Sequence, residues 1–180
     1  DPIDIVMLNA GVQSAERTIY TKDGLEQSFA INHLAHFLLL RKIEHLLTPD
    51  AIIGWVGSGT HHPELAKTFG FTGAHYLDPE LLAKGNFGEK NNTRQLSRDA
   101  YATSKGLNIL SARHFSRLSP SHTFFSFDPG LMPGTGLARE GSPVLRLAWN
   151  YVLPIIAKFM KGASTPKQSS EMLARILLKS

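Results

Sequence analysis

The sequence predicts an α/β fold built on a parallel sheet, and three observations predict it. Short apolar runs at Ile3–Leu8, Ala51–Val56 and Thr123–Phe127 have the composition of buried strands. Long stretches with apolar residues at helical spacing separate these runs, as crossovers between parallel strands require. Each run is followed by small turn residues: Asn9-Ala10-Gly11, Gly57-Ser58-Gly59 and Asp128-Pro129-Gly130.

The elements follow in order. Ile3–Leu8 is a strand that closes on Asn-Ala-Gly. Asp23-Gly24 leads into a helix from about Leu25 to Leu47, in which Phe29, Asn32, His33, His36, Phe37 and Leu40 recur at spacings of three and four and Pro49 marks the end. Ala51–Val56 is the second strand. Residues 60–97 lack periodicity and are rich in Gly, Asn, Pro and Lys, which predicts a long excursion with one short helix near Pro79–Lys84. A structureless segment of that length in a compact domain is usually functional or disordered. A helix from about Arg98 to Leu118 stops at Ser119-Pro120, and the third strand follows. Pro143–Met160 is an apolar helical segment split at Pro154, and Pro166 opens a last helix to about Leu178. Nothing marks a second domain.

Composition narrows the function. A chain of 180 residues with 42% hydrophobic and 19% charged residues can bury a core. The net charge of +4 is spread over scattered Lys and Arg, without the basic patch of a nucleic-acid binder. The absence of cysteine excludes disulfides, thiolate metal sites and a cysteine nucleophile, and cytoplasm is the expected compartment. The longest apolar stretch, Val144–Met160, is too short and too interrupted to span a membrane, although peripheral association through it is an alternative use.

The chemistry concentrates in Tyr101-Ala-Thr-Ser-Lys105. Side chains four apart are neighbours on a helix, and a lysine beside a tyrosine stabilises the phenolate, which suits the phenol to proton exchange with a carbonyl or alcohol near neutral pH. Asn9, Ser58 and Gly130 all follow strand ends, where open parallel sheets bind ligands. His33 and His36 lack an acidic partner and read as structural histidines, so no metal site is expected. Ser58, His61 and Asp78 lack the GxSxG elbow of a hydrolase.

Taken together, these residues resemble the short-chain dehydrogenase/reductase family. Asn9-Ala10-Gly11 is similar to its NAG turn, Asn32 to its helix asparagine, Ser58 to the serine after its fifth strand, Tyr101 and Lys105 to its YxxxK pair, and Pro129-Gly130 to the turn after its sixth strand. The run Asn32-His-Leu-Ala-His-Phe37 and the segment Thr135–Arg139 look closest to the branch holding retinol dehydrogenases and light-dependent protochlorophyllide reductases, in its bacterial form. The resemblance implies a Rossmann-like doubly wound parallel sheet, of which the chain reads as the central and carboxyl-terminal part, without the glycine-rich cofactor half and the final strand. It also implies NADP or NAD as cofactor, with NADP favoured.

By the same resemblance, Tyr101 donates the proton, and Lys105 lowers its pKa and binds the nicotinamide ribose. Ser58 bonds the substrate oxygen. Asn32 either holds a water for proton resupply or simply satisfies buried backbone groups. Asn9, Ala10 and Gly11 pass the adenosine half, Pro129 and Gly130 flank the nicotinamide, and Thr135 bonds its carboxamide or the pyrophosphate. Gly134 occupies the family's usual threonine position. Pigment-reducing members carry cysteines, so their complete absence here weighs against protochlorophyllide. Residues 132–162 read as a lid for a bulky, apolar carbonyl or alcohol, with Gly141 and Gly162 near its hinges; a core helix or a dimer contact is the alternative. The competing function is a binding or regulatory module that keeps the fold without catalysis.

Overall fold

The computed structural model describes residues 1–14, 16–67, 70–88, 92–134, 142–157, 160 and 162–178. They form two compact units, 1–127 and 128–180, although the sequence itself shows no boundary there.

The first unit is a three-stranded parallel sheet of order β1 (Ile3–Leu8), β2 (Leu47–Val56), β3 (Thr123–Phe127). Two long helices provide the crossovers. Helix α1 is α-helical over Gln27–Phe29 and Ala35–Ile43, with a π-helical turn, Ala30–Leu34, between them. Helix α4 spans Thr93–Leu118. In the excursion between them lie α2 (Pro63–Lys67) and α3 (Pro79–Ala83).

Strand periodicity sorts the sheet's side chains. Val6, Leu8, Ala51, Ile53 and Trp55 point into one core with Leu40 of α1 and Ala112 and Phe115 of α4. Phe115 organises this layer: its ring stacks on Trp55 at 5.9 Å and on Phe124 at 6.0 Å. Beside them on the strands, Gly54 leaves room that a side chain would take, since a Cβ there would meet Phe125 Cζ at 2.5 Å and Met7 Sδ at 2.7 Å.

Two boundaries differ from the sequence expectation, each for a local reason. Strand β2 begins at Leu47 and runs through Pro49, which was expected to end the preceding segment. Its pairing with β1 jumps from Ile3↔Leu47 to Ile5↔Ile52, so the imide lies in an irregular stretch where no ladder hydrogen bond is demanded of it. Helix α4 begins five residues before the expected Arg98, because the Asn92 side chain accepts from Arg94 N and Gln95 N and caps the first turn.

The second unit holds β-like pairing of Leu131 with Ala163 and two helices. Helix α5 combines Pro143–Leu147, a π-helical turn Ala148–Val152 and Leu153–Ala157. It continues through Pro154 rather than splitting there; the wide turn just before the proline accommodates the missing N–H. Helix α6 is Pro166–Leu178. Among the described residues no helix is long and apolar enough to cross a membrane.

Trp55 is fully buried and stacked on the ring that joins both helices' core to the sheet. Trp55→Ala should lower the unfolding free energy by about 3–5 kcal/mol in urea titration; a loss below about 1 kcal/mol would show that the layer does not depend on this ring.

Candidate active site

The site is built where β1 and β2 end against α4. On α4, Tyr101, Lys105 and Asn108 fall at i, i+4 and i+7, so they share a face, and all three are buried. The Lys105 ammonium lies 5.8 Å from the centroid of the Tyr101 ring. It donates a hydrogen bond of 3.0 Å to the carbonyl of Val56, the last residue of β2, and the Asn108 amide donates to the same oxygen at 3.3 Å. The strand end thus anchors the cation.

Asn32 ties the rest together. It sits inside the π-helical turn of α1, a distortion that often marks functional positions, and is wholly buried. Its Oδ1 accepts from Val12 N at 2.8 Å, while Nδ2 donates to Val12 O at 2.9 Å and to Ser104 Oγ at 3.0 Å. Ser104 passes the link on by donating to the Tyr101 carbonyl at 2.7 Å. Both hydrogens of the amide are therefore committed to protein groups. Its side chain thereby satisfies the backbone groups of Val12, one of the two roles the sequence left open for this residue.

Asn9, Ala10 and Gly11 form an exposed turn after β1. A Cβ on Gly11 would lie 3.5 Å from Asn32 Oδ1 and 3.5 Å from Lys105 Nζ, so the bare backbone of this turn runs past the cation. An exposed glycine turn beside a lysine is a fitting cradle for an anionic or hydroxyl-bearing group, such as the ribose and phosphates of a dinucleotide.

Ser58 caps the single turn Gly59–His61: its Oγ accepts from Thr60 N at 3.3 Å and from Thr60 Oγ1 at 3.0 Å. Its own hydroxyl hydrogen is used in neither bond and is available to a substrate oxygen. Pro129 and Gly130 belong to the second unit. There Gly130 has φ of 76° and donates to Asp128 Oδ1 at 2.9 Å, and Ser169 Oγ donates to the Pro129 carbonyl at 2.5 Å. Thr135, Gly141 and the segment Thr135–Arg139 lie outside the described residues.

The two helix histidines have different surroundings. His33 Nδ1 faces Asn108 Oδ1 at 3.4 Å; burial lowers its pKa, and the Asn108 bond opposes that only in part. His36 is 5% exposed, and the Asn32 backbone gives its ring only partial hydrogen-bond support. Burial first, and the Lys105 charge second, hold its pKa down at about 4. Asn108 is the site residue that sequence reading missed; its signal was the i+7 spacing from Tyr101.

No protein-family model matches the chain. Among curated proteins it is similar to protochlorophyllide reductase B, chloroplastic, of Oryza sativa subsp. japonica (31% identity, covering 98% of this chain and 46% of that protein). It is also similar to protochlorophyllide reductase of Avena sativa (30% identity, 98% and 60%). The chain spans about half the length of the curated relatives it matches. Among solved structures, the angucycline C-6 ketoreductase LanV with bound NADP superposes with a TM-score of 0.60 at 20% identity, covering 98% of this chain and 56% of that one. The alcohol dehydrogenase from the archaeon Thermococcus sibiricus, complexed with 5-hydroxy-NADP, gives 0.54 at 19% identity, covering 99% and 58%. These two likenesses establish the fold.

The His36 environment predicts a pH dependence of stability. A histidine that binds its proton more weakly folded than unfolded contributes fully above about pH 6.5, and that contribution is lost as pH falls toward 4. The loss should be on the order of 3 kcal/mol. Urea titrations across this range should show a shallower decline for His36→Leu than for the native protein; identical slopes would mean the imidazole is not held neutral.

Proposed function

We propose that this chain, which belongs to the short-chain dehydrogenase/reductase family, carries the proton-transfer and nicotinamide-binding face of an NADP-dependent oxidoreductase acting on a carbonyl or alcohol. The observation that carries this reading is the buried Tyr101–Lys105 pair, with the ammonium bonded to the end of β2 and the Asn9–Gly11 turn alongside. NADP is favoured over NAD because two neighbours of the same fold were solved with NADP and 5-hydroxy-NADP. Asn9, Ala10, Gly11 and Lys105 would hold the cofactor, with Pro129, Gly130 and Thr135 assigned to it by family resemblance. Bound there, the nicotinamide supplies or accepts the hydride.

The chain's own residues handle the proton. Tyr101 delivers its phenolic hydrogen to the substrate oxygen in reduction and takes it back in oxidation. Lys105, anchored to the Val56 carbonyl, favours by its charge the phenolate left behind and would attract the ribose hydroxyls. Ser58 turns its hydroxyl hydrogen on the same substrate oxygen and stabilises charge that builds there. Asn32 acts on this chemistry by fixing the turn after β1 and the Tyr101 backbone. A bulky, apolar substrate is proposed from the sequence of residues 144–160, which is richer in apolar side chains than a buried helix face requires. The curated relatives named above act, by their names, on protochlorophyllide; the absence of cysteine from this sequence weighs against that pigment as the substrate here.

In the full-length protein, Tyr101→Phe should cut turnover by about 10²–10⁴-fold. NADPH affinity, read by fluorescence titration, should remain within about twofold of native, because the hydroxyl is asked only to move a proton. Lys105→Met should weaken both. Turnover that survives Tyr101→Phe would remove the proton-donor role.

A further inference from the structure

The excursion between β2 and α4 is bound to α4 by a polar cluster that the chemistry above does not use. Asp99, one of the wholly buried residues, stands two positions before Tyr101. A carboxylate is costly to bury unless its oxygens are well satisfied. Here Oδ1 accepts from the Thr72 hydroxyl and from Gln95 Nε2 at 2.8 Å, and Oδ2 lies 3.5 Å from His75 Nε2. Since Thr72 gives its hydrogen to Asp99, its oxygen can only accept from His75 Nε2 at 3.2 Å, which places the imidazole hydrogen on Nε2. One turn along α4, Thr103 Oγ1 accepts the His75 backbone N–H at 3.0 Å. Thr72 and His75 are loop residues on the surface side, and their partners are buried on the helix.

What this cluster holds in place is the wall beside the reacting pair. The Phe71 ring lies 6.0 Å from the Tyr101 ring. Two residues past His75's neighbour Ala74, Tyr76 rests over α4 at Gly106, the residue after Lys105; a Cβ there would meet Ala74 Cβ at 2.8 Å and Tyr76 Oη at 3.4 Å. The same Cβ would lie 3.6 Å from His61 Cβ, and Ala74 N donates to His61 O at 2.9 Å, which joins this loop to the turn capped by Ser58. Tyr76 remains largely exposed, an aromatic surface over the helix residue that follows Lys105.

We propose that Asp99 is a positioning residue: through Thr72 and His75 it latches residues 71–76 onto α4, so that Tyr76 and its neighbours form a fixed aromatic wall selecting ring-bearing, apolar carbonyl substrates. This rests on the oxidoreductase reading above. The latch acts on substrate fit, and leaves cofactor binding and proton transfer to Lys105 and Tyr101.

The test uses the full-length protein with NADPH and three ketones of increasing ring count: cyclohexanone, tetralone and fluorenone. Asp99→Asn is the direct variant. Thr72→Val removes one hydroxyl from a surface residue and is the variant least able to disturb folding, with Thr72→Ser as its rescue. Thr72→Val should raise KM for fluorenone about tenfold more than for cyclohexanone, while kcat and the KM for NADPH change by less than about twofold and Thr72→Ser restores the native pattern. Backbone amides of residues 71–76 should exchange at least about tenfold faster in Thr72→Val than in native protein, with α4 unchanged. Equal KM increases for all three ketones overturn the selecting wall, and unaltered amide exchange overturns the latch whether or not turnover is seen. A native protein that binds NADPH yet reduces no ketone instead overturns the proposed function, a separate result from the exchange measurement.

Discussion

The arrangement of this site depends on one buried amide. Asn32 joins three segments distant in sequence: the turn after β1 through both backbone groups of Val12, the π-helical turn of α1 that carries it, and α4 through Ser104. Because Ser104 stands on α4 just before Lys105, the Asn32 bond to it ties this part of α4 to the turn after β1. A side chain with fewer polar atoms would leave buried backbone groups unsatisfied, at a cost of about 1–3 kcal/mol each. The π-helical turn is the local distortion that lets Asn32 reach them while α1 still places Leu40 in the core.

Beside this amide the protein keeps a lysine buried. Lys105 is only 4% exposed, and its charge, after burial, helps to hold the His36 imidazole on α1 neutral. Its ammonium is anchored by a hydrogen bond to the backbone carbonyl of Val56 at the end of β2. The nearest deeply buried carboxylate on α4, Asp99, is directed instead to the excursion loop. Anchoring the cation and fastening the loop are thus divided between two faces of one helix.

The strands and the reacting pair were legible because each leaves a periodic trace. Ile3–Leu8 and Thr123–Phe127 match their apolar runs, and Tyr101 with Lys105 announces a shared face by spacing alone. The start of β2 was hidden because Pro49 reads as a terminator, and only the irregular pairing with β1 makes its place in a strand acceptable. The N-terminus of α4 was hidden in a polar stretch where Asn92 is one candidate cap among several. The docking of the excursion could not be read at all, since it rests on single hydroxyls and a carboxylate far apart in the chain, Thr72 with Asp99 and His75 with Thr103, and such pairs have no sequence period. Asn108 falls between these cases: the helix places it, but only the shared Val56 carbonyl shows what it does.

The most direct test of the central claim is a crystal structure of the full-length protein with NADPH. The expected result is Lys105 Nζ within about 3 Å of a nicotinamide ribose hydroxyl, the cofactor passing the Asn9–Gly11 turn, and the Asn32 amide still bonded to Val12 and Ser104. A cofactor bound away from this turn, or an Asn32 side chain released from Val12 when the cofactor enters, would contradict it.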